Sequence, residues 1–129
     1  PIEQFYTLTS SGNVLGTDEI ITEIQVPLPS VDTKAKYMKY SIRKAIDHSL
    51  LSVACVHSKE ETKIVIGGVF VTPYAVDGVK DIIKREGISE GLAAKAGEIA
   101  VKNATPLSMN SWKVETTRIL VQRAISALA

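Results

Sequence analysis

Three residues stand out by type and spacing: Lys39 and Arg43, and before them Ile21. In an extended Ala35–Ala45 segment, alternation sets Tyr37, Lys39, Ser41 and Arg43 on one face and Met38, Tyr40 and Ile42 on the other. Asp18–Pro27 alternates too, with Ile20, Ile24 and Val26 on one face and Glu23 and Gln25 opposite. Ile21 is the apolar exception on that polar side. If the two segments pair antiparallel, Ile21, Lys39 and Arg43 share the face turned away from the core. Such a set offers charge and apolar contact, not acid–base or nucleophilic catalysis. It gains a function only if something covers it; the plain alternative is a solvated face with snorkelling cations.

Other reactive side chains do not form a catalytic set. His48 and His57 have no carboxylate or cysteine at ligand spacing, so a metal site is not expected. Cys55, the one cysteine, excludes an internal disulfide, and its apolar run Leu50–Val56 predicts a buried, inert thiol. No nucleophile elbow, zinc-helix motif or cysteine–histidine signature occurs. Gly67 and Gly68 lie outside any Gly-x-x-x-x-Gly-Lys phosphate loop. They predict a bulge or close approach, or room for a helix to pack.

The element expected to position these residues is Thr62–Pro73. Its core, Ile64–Val71, is an unbroken apolar run closed by a proline, as in a strand buried on both faces. Four strands are expected, at Asp18–Pro27, Ala35–Ala45, Leu50–His57 and Thr62–Pro73, with a charged turn at Ser58–Thr62. The period then becomes helical. Val76, Val79, Ile82 and Ile83 form a stripe ending at Gly87, and Ser89 can cap a second helix with Leu92, Ala96, Ile99 and Ala100 inward. A third helix spans about Ser111–Leu128, with Val114, Thr117, Val121, Ala124, Ile125 and Leu128 inward. Ala93, Ala94, Ala96, Gly97 and Ala100 would permit close packing. Four strands followed by three helices predict an α+β two-layer sandwich with a mainly antiparallel sheet, its helices returning over one face.

The 129 residues suit one domain. With 15 basic and 14 acidic residues, no charge excess points to nucleic acid or a membrane surface. The longest apolar run falls well short of the roughly 20 residues of a membrane helix. No secretory signal is visible, and a cytoplasmic setting is expected. Pro1–Thr17 is polar and turn-rich (Ser10, Ser11, Gly12, Asn13, Gly16), and the lack of an initiator methionine suits a piece of a longer protein.

Four segments carry a resemblance. Asp18-Glu19-Ile20-Ile21-Thr22-Glu23-Ile24-Gln25-Val26-Pro27 resembles the "GEILTEI-x-[IV]-P" segment of the FAD-binding (medium) subunit of molybdenum hydroxylases, the family of xanthine dehydrogenase and aerobic carbon monoxide dehydrogenase. Tyr37 to Asp47 is similar to its "Y-x-K-x-x-x-R-x-A-x-D". Ile66-Gly67-Gly68-Val69 with Thr72-Pro73 resembles "GGV-x-x-x-P", and Asn110-Ser111-Trp112-Lys113-Val114 with Arg123-Ala124 resembles "N-A-[YW]-K-V … R-A-L". Trp112 stands where many relatives have tyrosine.

The resemblance is to that subunit's C-terminal domain, a sandwich of about four strands and three helices. It implies that residues 18–129 form this domain and that residues 1–17 are a linker from an FAD-binding region not present in the chain. It implies an oxidoreductase in which a molybdopterin centre and 2Fe–2S clusters, in partner subunits or domains, deliver electrons through FAD to NAD or another acceptor. Most of the FAD site belongs to the preceding domains, so the isolated fragment is expected to be inactive and to hold FAD weakly or not at all. By resemblance, Ile21 lies against the isoalloxazine ring and Lys39 has its ammonium near the flavin, where a cation tunes the potential. Tyr37, Arg43 and Asp47 also match motif positions, although an Arg43–Asp47 pair would equally brace the strand end. The alternative from another class is a stand-alone interaction module that uses the Ile21/Lys39 face. Aromatics at 5% make few of the usual anchors for it.

Overall fold

The computed structural model describes residues 1–9 and 12–129. Ser10 and Ser11, in the turn-rich leading segment, lie outside the described residues. Four strands, β1 (Lys34–Tyr40), β2 (Leu51–His57), β3 (Thr62–Gly67) and β4 (Tyr74–Ala75), precede three helices, α1 (Val79–Glu86), α2 (Glu90–Val101) and α3 (Trp112–Ser126). The strands form one antiparallel sheet in the order β1-β2-β3-β4. This is the expected α+β arrangement.

Register decides which side chains meet the helices. Met38 lies opposite Val53 and Val53 opposite Ile66, while Cys55 pairs with Ile64. Leu51, Val53, Cys55, Ile64 and Ile66 are buried with Val79, Ile83, Leu92, Val121 and Ile125 of the helices. All three helices therefore cover one face of the sheet. The opposite face presents Ala35, Tyr37 and Lys39 of β1, Ser52, Ala54 and Val56 of β2, and Lys63 and Val65 of β3.

The helix boundaries follow local chemistry. Gly87 ends α1 with φ +71°, its N–H donating to the Ile83 carbonyl. Ser89 starts α2, its hydroxyl accepting from the Leu92 N–H at 3.2 Å. Of the six residues expected on the inner stripe of the third helix, Thr117, Val121, Ala124 and Ile125 are buried on α3 together with Leu120, Leu128 is buried just past the helix end, and Val114 is only half-buried. Small residues do bring α2 and α3 together: a Cβ on Gly97 would lie 2.6 Å from the main-chain oxygen of Arg118. Thr117 Oγ1 is buried on this stripe with no hydrogen-bond partner. Cys55 is buried as expected, and burial pushes its thiol up to about 12.

Three expected strands are corrected. Asp18–Pro27 forms no strand, and Ile20, Ile24 and Leu28 are 83%, 82% and 95% exposed. Alternation reports that a segment is two-faced; a strand also needs a hydrogen-bonded neighbour and a covering layer. Here no strand pairs with the segment among the described residues, and Pro27 and Pro29 each lack an N–H for a ladder. The strand expected to reach Ala45 stops at Tyr40, because the chain folds into a turn at Ser41. The strand expected to reach Pro73 stops at Gly67. Gly68 has φ +82°, and a Cβ there would collide with the Leu50 carbonyl oxygen. The two glycines thus mark close approach by neighbouring backbone, and for Gly67 by the Ser52 hydroxyl; they make no room for a helix. The fourth strand is the short β4, on the far side of Pro73. β3 does lie inside the sheet, but only its Ile64 and Ile66 face is buried; Val65 is half-buried.

Candidate functional site

Tyr37 and Lys39 stand on the open face of the sheet. The row Tyr37–Ala54–Val65–Ala75 crosses all four strands, and the row Lys39–Ser52–Gly67 runs beside it. Ala54, Gly67 and Ala75 project little or nothing, so Tyr37 and Lys39 border a shallow strip of low relief. Ile21 is not joined to it: among the described residues no ladder connects its segment to β1. The antiparallel pairing that would set Ile21 beside Lys39 is absent.

Lys39, Arg43 and Asp47 are brought together by the connection between β1 and β2. Ser41 Oγ donates to the Arg43 carbonyl at 2.8 Å. The Arg43 N–H donates to Asp47 Oδ2 at 2.7 Å, and its guanidinium to Asp47 Oδ1 at 3.2 Å. The Arg43 side chain is 72% exposed but that of Asp47 only 15%, so the carboxylate sits inside the turn. The main-chain N–H and guanidinium of Arg43, with Lys39 nearby, hold the Asp47 carboxyl below the usual carboxylate range. Lys39 Nζ donates to the main-chain oxygen of Asp47 at 3.2 Å. Arg43 therefore braces the strand end, as one of its two expected roles required.

The same turn contains Ile46 at φ +44°, the one non-glycine residue with positive φ among the described residues. A β-branched residue there is strained by about 1–3 kcal/mol, which the surrounding contacts must offset. Its side chain is 98% exposed, so its own burial does not compensate.

Two supports of this end were not apparent from motif spacing. Trp112, at the start of α3, packs on Tyr40 with ring centroids 5.9 Å apart. Lys113 Nζ donates to the carbonyls of Gly68 at 2.9 Å and Leu50 at 3.3 Å, tying α3 to both loops that flank the site strands. Apolar periodicity carries no signal for a lysine directed at carbonyls. A cleft of about 510 Å³ adjoins the far end of the shallow strip at Val65 and Ala75, bordered also by Ile2, Tyr6, Lys63 and Lys80, and includes none of the five candidate residues. No group of three metal-ligating side chains occurs among the described residues, and no helix there is long and apolar enough to cross a membrane.

Against known structures, the chain superposes on carbon monoxide dehydrogenase from Hydrogenophaga pseudoflava with a TM-score of 0.85, 19% identity and 98% of its length covered. The fold is shared. Reconstituted CO dehydrogenase from Oligotropha carboxidovorans gives 0.79 at 18% identity, again over 98% of this chain. Quinoline 2-oxidoreductase from Pseudomonas putida 86 gives 0.70 at 22% identity over 80%. The chain spans 46%, 48% and 38% of those three chains, respectively. No family model and no curated protein matches the sequence. At these identities the likeness is one of fold, and it is the fold that the motif resemblance implied.

Proposed function

We propose that this chain is the C-terminal domain of the FAD subunit of a molybdenum hydroxylase, residues 18–129 forming the domain and residues 1–17 a linker. The observation that carries the reading is a fold match spanning 98% of the chain at TM-score 0.85, found for a sequence with four motif segments in the order of that subunit. The proposed partners are the iron–sulfur and molybdopterin subunits or domains and the FAD-binding domains of the same complex, in the cytoplasm. The exposed apolar side chains of Ile20, Ile24, Val26 and Leu28 support an assembled state, in which a partner surface would cover them.

The residues present suit one edge of a flavin site, not a whole one. The low strip beside Tyr37, with an exposed ammonium at Lys39, offers a flat apolar contact and a charge. The positive-φ glycines are scattered at Gly12, Gly68, Gly78 and Gly87, and no run of them makes a turn that could cradle a pyrophosphate. In this reading Lys39 supplies positive charge near the ring, Ile21 an apolar contact, and Tyr37 and Arg43 border the contact area. The flavin, when bound, supplies the electron-transfer chemistry between the iron–sulfur clusters and NAD or another acceptor. A lysine beside it favours negative charge on the ring, so its loss lowers the potential. For a two-electron couple, about 1.4 kcal/mol corresponds to roughly 30 mV.

The test is the visible spectrum and flavin potential of the native protein, purified with its accompanying chains, in wild-type and Lys39→Ala forms. Flavin absorption, with a lowered potential or occupancy in the variant, supports the reading. A colourless preparation that FAD does not reconstitute overturns it and favours the interaction module. Flavin bound identically by both forms returns Lys39 to the solvated face.

A further inference from the structure

We infer that Asp47 is the positioning residue of Lys39: its side chain closes the Arg43–Asp47 turn, and its main-chain oxygen, thereby placed, holds the lysine ammonium. This deepens the proposal above and rests on its reading of Lys39 as the cation beside the flavin. Asp47 matches a motif position of the family, but here it acts through Lys39 and makes no contact of its own with the ring.

The argument begins with reach. Lys39 is exposed, on the outermost strand of the sheet, with a flexible four-carbon stem that by itself selects no single direction. One fixed acceptor restrains it, the main-chain oxygen of Asp47 at 3.2 Å. That oxygen lies eight residues along the chain, in a connection without regular structure, so its position depends on what holds the connection. Two bonds from Arg43 to the Asp47 carboxylate do so, at 2.7 and 3.2 Å, helped by Ser41 on the Arg43 carbonyl. The carboxylate is nearly enclosed, and Ile46 beside it is bent into the left-handed region. A carboxylate that accepts from a main-chain N–H and a guanidinium at once can hold such a turn; a neutral or shorter side chain holds it less well. The chain thus directs Lys39 by a main-chain acceptor and not by a direct ion pair with the carboxylate, whose oxygens are taken up by Arg43.

The prediction is read first on the chain itself, by mass-spectrometric acylation rates of Lys39 with the exposed Lys36 of the same strand as internal reference. With the carboxylate gone the turn no longer holds the main-chain oxygen of residue 47 in place, so Asp47→Ala raises the Lys39 rate about two- to fivefold relative to Lys36. Arg43→Ala removes only the guanidinium bond, its main-chain N–H bond to Asp47 remaining, and shifts the rate in the same direction by a smaller amount. Asp47→Asn, which still accepts from the Arg43 N–H, falls between. Circular dichroism establishes that each variant is folded. An unchanged Lys39 rate in folded Asp47→Ala and Arg43→Ala overturns the inference.

The second readout is the flavin potential of the native protein. Asp47→Ala lowers it relative to Asp47→Asn, which loses the same charge but keeps more of the turn, and the two variants do not differ when Lys39 is already replaced, a dependence that a merely structural role would not show. A raised Lys39 rate with an unmoved potential keeps Asp47's hold on Lys39 and overturns the flavin reading instead, so the two failures are distinguishable.

Discussion

Helix α2 contains two glycines in opposite circumstances, and the same substitution at each should change stability in opposite directions. A Cβ at Gly91 meets nothing within 4 Å, whereas at Gly97 it lies 2.6 Å from the Arg118 main-chain oxygen and 3.2 Å from its Cγ. Carbon–oxygen contacts settle near 3.3–3.6 Å, so Gly97→Ala demands a separation of roughly 0.7 Å. The obstructing oxygen belongs to a carbonyl inside α3 and cannot swing away. The helices must part instead, along a seam that includes Ala93, Ala96 and Ala100. Gaps of 0.5–1 Å forfeit about a quarter to a half of each dispersion contact, and overpacking of this kind costs about 1–3 kcal/mol. Replacing a mid-helix glycine returns about 0.8–1.0 kcal/mol. With rigid backbone as the obstacle the upper half of the cost applies, leaving Gly97→Ala about 1–2 kcal/mol less stable. Gly91→Ala, in the first turn and free of contacts, gains about 0.5 kcal/mol. With a urea slope of about 1–3 kcal/mol per molar, the two midpoints should differ by roughly 1 M and lie on opposite sides of wild type. A Gly97→Ala midpoint at or above wild type would refute the packing argument.

Two further outcomes are expected. Thr117→Val removes a buried hydroxyl that has no partner and keeps its shape, so urea denaturation should show about 1 kcal/mol of added stability; a loss would mean the hydroxyl has a use in the folded chain. The second concerns acid. Arg43 holds Asp47, and the Lys59 N–H holds Asp32, below the ordinary carboxyl value, as Arg85 does Glu86 and Arg118 does Glu115. Groups depressed in the folded state contribute stability above their unfolded values of 3.8–4.5 and lose it as pH falls through the folded values. Urea midpoints should therefore be level from neutrality to about pH 5 and decline below about pH 4, with Asp47→Asn showing a shallower decline.

The helical half was legible because its signals are local. Ser89 and Gly87 mark ends by hydrogen bonding and backbone conformation, and the stripe through Thr117 and Ile125 follows from one turn to the next. The strands were legible in number and less so in extent. Asp18–Pro27, by its alternation, reads as a strand as convincingly as the apolar run Leu51–His57, yet only the second has neighbours on both sides, and neighbours are a property of the whole fold. Close approach was one of the two readings open for Gly68, and which carbonyl approaches depends on the β1–β2 connection. The same limit applies to the site. Spacing placed Tyr37 and Lys39 on the face away from the core. It could not show that Arg43 leaves the strand, or that Asp47 presents a main-chain oxygen to Lys39, because both depend on the turn at Ser41.

The order β1-β2-β3-β4 along the sheet is also the order along the chain, and this bears on how the molecule is assembled. Each strand pairs with its predecessor through a connection of a few to ten residues, so the sheet can grow by successive hairpins with little loop entropy to overcome at any step. The distant closures belong to the last helix: Lys113 reaches back 63 residues to Leu50, and Lys34 reaches forward 94 to Leu128. A nascent chain can thus complete its sheet while α3 is still unmade, with the Leu51–Val53–Cys55 face exposed until that helix arrives. The final third of the chain sets when the domain becomes safe from aggregation, and truncations there should be more damaging than equal losses before Lys34.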